Sequence, residues 1–245
     1  MNRFFIPPEA IQGTVINIPD DTAAQIRKVL RLKEGTTVHF LDDLGTLYES
    51  SIHYLDEKHL IAEVQRKRSA EGESACRISL YVGLTQREKF EWILQKCTEA
   101  GAARIIPMIT ERSLLRKAAD IAGKTERWQK ILKEAAEQCG RGNIPKLLPA
   151  QSFRQAAENG TSADIALFCW EEEKQKTLRE LIDPVRDSAG TISLMIGPEG
   201  GFSEEEAEIA KTCGWAPVTL GKRIYRMETA ALAAVILTLY ELERD

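Results

Sequence analysis

The hydrophobic rhythm of the chain changes near residue 75. Before that point apolar and polar positions alternate in short runs: Val38–Leu41 leads through Asp42-Asp43-Leu44-Gly45 into Leu47–Ile52, and His59–Val64 is a further run of the same kind. Period-two alternation punctuated by turn residues predicts strands. Residues 1–72 are therefore expected to form a small β barrel carrying one helix, over about Asp21–Val29. The polar stretch Ser69–Ser74, with Gly72, predicts a linker. Beyond it, apolar runs alternate with helical-period segments, giving strands at Ile78–Gly83, Ile105–Ile109 and Ile165–Trp170 and helices over Lys89–Ala100, Glu126–Cys139 and Lys174–Val185. Thr191–Ile196 and Ala216–Leu220 add two strands with their own helices, so residues 73–245 are expected to form an α/β domain on five or six mostly parallel strands. The last helix, about Glu228–Arg244, is apolar on nearly all sides from Ala230 to Tyr240, a pattern that requires burial and predicts a second subunit against it.

Two strand-to-loop transitions carry the candidate chemistry. Thr191–Ile196 runs into Gly197-Pro198-Glu199-Gly200-Gly201-Phe202-Ser203, and Ala216–Leu220 runs into Gly221-Lys222-Arg223-Ile224-Tyr225-Arg226-Met227-Glu228. Glycines in such loops permit a positive φ or a close backbone approach to a ligand. Ser203 with Glu206 is a capping-box pattern that starts a helix, and Gly214 ends it after Cys213. Either loop alone reads as an ordinary crossover turn. Two of them, one strand–helix–strand unit apart and the second dense in charge, predict a ligand site. Neither G-x-G-x-x-G nor G-x-x-x-x-G-K-[ST] occurs, so a pyrophosphate cradle is not expected. Glu204, Glu205 and Glu206 suit the helix dipole but repel an anion, which favours a cationic or neutral ligand.

The run from Ile196 to Ser203, followed by Leu220-Gly221-Lys222-Arg223-Ile224-Tyr225-Arg226-Met227-Glu228-Thr229-Ala230, resembles the signature of the SPOUT methyltransferases, most closely the ribosomal RNA small subunit methyltransferase E family. Earlier blocks agree with it: Val29–Gly35, Gln95–Gly101 with Ile105-Ile106-Pro107 and Thr110-Glu111-Arg112-Ser113, and Arg127-Trp128 through Glu134–Arg141. Tyr225 and Met227 depart from the Leu and Thr usual there. The resemblance implies a PUA-like RNA-binding β domain over 1–72 and a trefoil-knotted methyltransferase domain over 73–245. It further implies S-adenosylmethionine as cofactor, a homodimer through the C-terminal helix, and methylation of uridine N3 in small-subunit (16S) ribosomal RNA, free or assembled. The implied cofactor positions are Ile196, Gly197, Pro198, Glu199, Gly200, Gly201, Leu220, Gly221, Ile224, Tyr225, Arg226 and Thr229. No periodicity would have produced a knot, since sheet connections are otherwise unknotted.

Composition is consistent with this reading without selecting it. The 245 residues and 43% hydrophobic content support a full core. Cys76, Cys97, Cys139, Cys169 and Cys213 form no C-x-x-C, which predicts reduced thiols in a cytoplasmic protein. His39, His53 and His59 lack partners at metal-ligand spacing, so no metal is expected. No signal peptide is evident, and the longest apolar stretch, Ala230–Leu239, is about half a bilayer span, so no membrane is expected. Charge changes the picture more. The net −4 divides into −3 over residues 1–75, +6 over 76–146 and −7 over 147–245. A basic middle suits phosphate contacts, although Arg127, Lys130 and Glu134 at helical spacing read as a self-paired helix surface. The RNA candidates are Arg112, Arg116, Lys117 and Arg141 near predicted loops, Arg3, Arg27, Lys28, Arg31 and Lys33 in the first domain, and Arg223. The cluster at 27–33 reads equally as satisfaction of a helix dipole.

Uridine N3 carries a proton and is a poor nucleophile until it is lost, so methylation there needs a base or a cation that stabilises the uracil anion. Arg226 is the candidate for that anion or for a phosphate, because a guanidinium makes planar bidentate contacts and stays charged. Glu228 and Glu199 are the candidate bases, with helix capping or pairing to Arg223 or Arg226 as the alternative for each. Tyr225 and Phe202 are candidates for stacking on an extruded base, or core residues. Two other classes stay open. A binding-only RNA module would lose RNA affinity without residues 1–72 and bind no cofactor, whereas a small-molecule enzyme using an adenine cofactor would ignore RNA.

Overall fold

A computed structural model describes residues 2–56, 59–114, 121 and 123–244, so Arg116 and Lys117 lie outside the described residues. The chain divides into two compact units, Met1–Glu73 with Ala136–Ile144, and Ser74–Ala135 with Pro145–Asp245. This differs from a single division at 72/73, because a segment remote in sequence is fastened to the first unit.

In the first unit, β1 (Arg3–Phe5), β2 (Ile11–Gln12), β3 (Val15–Asn17), β4 (Thr37–Leu41), β5 (Thr46–Tyr54) and β6 (Leu60–Ser69) form one sheet in the order β1-β4-β5-β6-β3-β2. The inward positions of the alternating runs, among them Ile16, Val38, Phe40, Ile52 and Ala62, are fully buried together with Ile26. At the β4–β5 turn, the Asp42 carboxylate accepts from the backbone N–H of Leu44 and Thr46 at 2.9 and 3.0 Å, while Asp43 and Gly45 take positive φ. The barrel expected here is not closed among the described residues. β1 and β2 are the two ends of an open path, and strands of three and two residues offer too short a ladder to join them. α1 (Asp20–Ala24) continues as a wider π-helical turn over Gln25–Leu30 and stops at Arg31, in the left-handed region at φ 51°.

The polar stretch read as a linker is anchored. Glu73 accepts from Arg141 Nε and Nη2 at 3.1 and 2.7 Å and from the N–H of Gly142 and Asn143. Glu137 accepts from Phe5 N–H at 2.9 Å, and Asp43 accepts from Ile144 N–H at 2.6 Å. Arg141, expected at a surface loop as an RNA contact, is only 3% exposed and has no free face for a phosphate. Its need for Glu73 brings a stretch 68 residues away in sequence into this unit.

Among the described residues the second unit holds seven parallel strands: β7 (Arg77–Gly83), β8 (Arg104–Ile109), β9 (Lys146–Leu147), β10 (Gln151–Ser152), β11 (Ile165–Cys169), β12 (Thr191–Ile196) and β13 (Ala216–Val218). The order is β10-β8-β7-β12-β11-β13, with β9 on β8. β7, β8 and β12 are near-continuous apolar runs because both faces of a parallel sheet are covered. The covering helices are α2 (Arg87–Glu99), α3 (Thr125–Cys139), α4 (Phe153–Gly160), α5 (Leu178–Ile182), α6 (Glu204–Cys213) and α7 (Met227–Glu243). The helix expected over Lys174–Val185 begins late. Glu173 turns its carboxylate onto the N–H of Gln175 and Lys176, and Thr177 with Glu180 forms a capping box, so 170–177 is left as loop. α7 buries Met227, Ala231, Ala234, Val235, Thr238 and Leu239 but leaves Ile236, Leu237 and Tyr240 exposed.

Candidate functional site

The loops that follow β11, β12 and β13 leave the carboxyl ends of three neighbouring strands, where open α/β sheets place their ligands. Together with the start of α7 they enclose a cleft of about 990 Å³. Of the twelve positions named for a cofactor, all but Gly200 and Thr229 line it, as do Glu228 and Arg223. Thr229 is exposed on the first turn of α7, and Gly200 packs against Arg112 on the loop's other side. Glu171, Lys174 and Lys89, which no sequence motif marks, also line the cleft. The usable signal for Glu171 was a third apolar strand ending in a polar loop.

The first glycine loop is set by close contacts. Gly83 ends β7 beside β12, and a Cβ there would stand 2.7 Å from Pro198 N and 3.1 Å from the Gly197 carbonyl carbon. Gly201 takes φ 67° and donates its N–H to Pro198 O at 2.9 Å; a Cβ on it would collide with the Glu171 carboxylate. Glu199 accepts from the Thr85 hydroxyl and from Lys89 Nζ, the latter at 3.0 Å. Burial opposes ionisation of Glu199, but the hydrogen bonds from Thr85 and Lys89 outweigh it and hold the carboxyl below its ordinary range. A carboxylate so held is a weak proton acceptor at neutral pH.

Past the loop, Ser203 accepts from Glu206 N–H, and the buried Glu206 carboxylate accepts from the N–H of Ser203 at 3.1 Å and of Glu111 at 2.8 Å. Gly214 ends α6 at φ 104°, as expected from sequence. Arg112, expected as an RNA contact, donates from Nη1 to the carbonyls of Gly200 and Phe202 at 2.8 and 3.2 Å.

The second glycine loop is open to solvent. Gly221 turns at φ 118°, and Lys222, Arg223, Ile224 and Arg226 are exposed. Glu228 differs from Glu199: its Oε2 is buried with no hydrogen-bond partner among the described residues. A buried carboxylate oxygen without a donor is costly, and here it lies in the lining of the cleft. Phe202 is buried against Phe153 and Phe168, so it fills the core.

In the first unit Lys28, Arg31 and Lys33 are exposed, next to exposed Val29. Arg27 donates to the carbonyls of Asp56 and His59 and lies over the Tyr54 ring, while Arg3 sits in β1 with its Nε buried. Among the described residues no group of three or more His, Cys, Asp and Glu is placed to hold a metal, and no helix is long and apolar enough to cross a membrane.

Comparison with known proteins gives concordant results. The RNA methyltransferase domain family matches residues 72–239. The ribosomal RNA small subunit methyltransferase E of Synechocystis sp. is 32% identical over 234 residues, covering 95% of this chain and 75% of that protein. Its counterpart in Bacillus subtilis is 28% identical over 250 residues, covering 99% and 98%. The crystal structure of the corresponding enzyme of Neisseria gonorrhoeae, bound to S-adenosyl methionine, superposes with a TM-score of 0.86 at 31% identity, covering 97% of this chain and 96% of that one.

Proposed function

The chain belongs to the ribosomal RNA small subunit methyltransferase E family, and on that premise we propose that its cleft binds S-adenosylmethionine and directs methylation to N3 of a uridine in small-subunit (16S) ribosomal RNA. S-adenosylmethionine-dependent methylation of ribosomal RNA follows from the family; the base, the atom and the residue roles are the proposal. The observation that carries it is the convergence of both glycine loops on one cleft at the carboxyl ends of β11, β12 and β13.

The residues fit the cofactor. The cleft lies at the upper end of the roughly 300–1,000 Å³ typical of small-molecule sites, and Glu171 in its lining offers negative charge to a cationic ligand. When bound, S-adenosylmethionine supplies a methyl group made electrophilic by its sulfonium. Backbone groups of Gly197–Gly201 and Leu220–Tyr225 hold it, the glycines allowing close approach. Glu228, with an unpartnered buried oxygen, accepts the N3 proton, and Arg226 stabilises the uracil anion. Glu199, already held by Thr85 and Lys89, anchors the loop. Lys28, Arg31, Lys33 and Arg223 are exposed cations for RNA phosphates.

The same reading extends to a trefoil knot in the second unit, a PUA-like role for the first, and a cytoplasmic homodimer. Exposed Ile236, Leu237 and Tyr240 on α7 support a second copy against that helix. The test is incubation with methyl-labelled S-adenosylmethionine and small ribosomal subunits lacking the modification, followed by digestion and mass spectrometry. Labelled N3-methyluridine that Arg226→Ala abolishes is expected. Label on another nucleoside refutes the N3 assignment, and absence of label in ribosomal RNA refutes the reaction.

A further inference from the structure

The glycine pair 200–201 is flanked by two side chains from other loops. A Cβ on Gly200 would stand 3.2 Å from Arg112 Cβ, and one on Gly201 would meet the Glu171 carboxylate. Arg112 also holds two carbonyls of that loop, two residues apart, Gly200 O at 2.8 Å and Phe202 O at 3.2 Å, through a single Nη1. The neighbouring residue repeats the connection, since Glu111 N–H donates at 2.8 Å to Glu206, the carboxylate that closes the capping box on Ser203. Segment 110–113 is itself fixed: Ser113 Oγ accepts from Thr110 N–H at 3.0 Å and hydrogen-bonds its hydroxyl at 2.9 Å, with both residues buried.

From these contacts we infer that Arg112 is a positioning residue, a latch that holds the Gly197–Phe202 loop in the conformation needed to receive the cofactor. The inference rests on the cofactor reading above. A loop containing three glycines has many accessible conformations, so fixing it before binding removes an ordering cost that the ligand would otherwise bear. Two carbonyl acceptors on one guanidinium restrain both the position and the tilt of the peptide planes between them, and hydrogen bonds from a charged donor are the stronger kind. With Thr85 and Lys89 on Glu199, the latch grips the loop at its middle while Glu206 and Glu111 grip its end. A guanidinium turned onto protein carbonyls is also drawn away from an RNA phosphate.

Calorimetric titration of S-adenosylmethionine into the wild type, Arg112→Ala and Arg112→Lys tests this, alongside filter binding of small-subunit RNA. Arg112→Ala is expected to raise the cofactor Kd about tenfold and its KM in parallel, with kcat at saturating cofactor and RNA affinity each within about threefold. Arg112→Lys, which keeps a charged donor, restores most of the affinity. Glu206→Gln, which weakens the second grip, shifts cofactor affinity in the same direction and carries the test should Arg112→Ala fail to fold. A wild-type cofactor Kd in the folded Arg112→Ala protein overturns the latch alone, as does lost RNA affinity at unchanged cofactor affinity. No binding by the wild type overturns the cofactor reading and the latch with it.

Discussion

Gly83→Ala adds one methyl group at the point where β7 ends against the first glycine loop. The new Cβ would stand 2.7 Å from Pro198 N and 3.0 Å from Pro198 Cδ. Ordinary contact needs about 3.5 Å, so the atoms are short by roughly 0.8 Å, and the obstruction is backbone and a proline ring, neither of which can rotate away. The loop has to move. Overpacking of this kind costs about 1–3 kcal/mol, which for a chain of this size lowers Tm by about 2–12 °C. The larger effect falls on the site, where a displacement near 1 Å costs on the order of a hundredfold. Gly83→Ala is therefore expected to lose about 10- to 100-fold in kcat/KM for methyl transfer and to weaken cofactor binding. Scanning fluorimetry, cofactor titration and label transfer read the three quantities. Gly190→Ala is the control, because the nearest atom to its Cβ is an aspartate oxygen at 3.9 Å; it is expected to stay within about 0.5 kcal/mol of the wild type. Gly83→Ala with wild-type cofactor affinity and Tm would refute the claim that this contact sets the loop.

Glu228→Gln is expected to slow single-turnover methyl transfer about 10²- to 10³-fold at a cofactor Kd within threefold of wild type, whereas Glu199→Gln changes the rate less than about fivefold; equal losses would contradict the roles given to them. Arg141→Ala leaves Glu73 without its main partner and is expected to destabilise by about 2–3 kcal/mol, somewhat less than for a fully buried pair, because Glu73 keeps 30% of its side-chain exposure. An unchanged Tm with weakened RNA binding would instead make Arg141 an RNA contact. Glu91, held down to about 2 mainly by its hydrogen bonds from Arg127 and Arg87, has a folded value below its unfolded one. Its contribution is therefore complete above roughly pH 4.3 and lost as pH falls towards 2. The shift caps this at about 3 kcal/mol, and solvent around the half-exposed Arg87 and Arg127 reduces it to about 1 kcal/mol. Tm of wild type should fall more steeply than that of Glu91→Gln between pH 5 and 3 in denaturation scans, and parallel curves would show that the pair contributes no stability.

What could be read from sequence was local. The start and end of α6 follow from Ser203, Glu206 and Gly214, whose capping bonds reach only three or four residues. The parallel strands were legible because burial on both faces leaves near-continuous apolar runs such as Ile192–Ile196, broken only by Ser193. The start of α5 was missed because Glu173 bonds to the backbone just ahead of it, a competition that helical periodicity does not encode. β9 and β10 are two residues each and have no period to detect. The larger failures concern partners far along the chain. Arg112 and Arg141 look alike in sequence, as basic residues near loops, yet one clasps carbonyls 88 and 90 residues away and the other a carboxylate 68 residues away. Gly83 gave no signal because its requirement for hydrogen in place of a side chain is set by Pro198.

The most direct test of the central claim is a crystal structure of the protein grown with S-adenosylmethionine. Cofactor density is expected in the cleft between Gly197–Gly201 and Leu220–Tyr225, with Arg112 still on the carbonyls of Gly200 and Phe202. Cofactor bound elsewhere on the chain, or bound in the cleft only after the Gly197–Phe202 loop has been rebuilt, would contradict it.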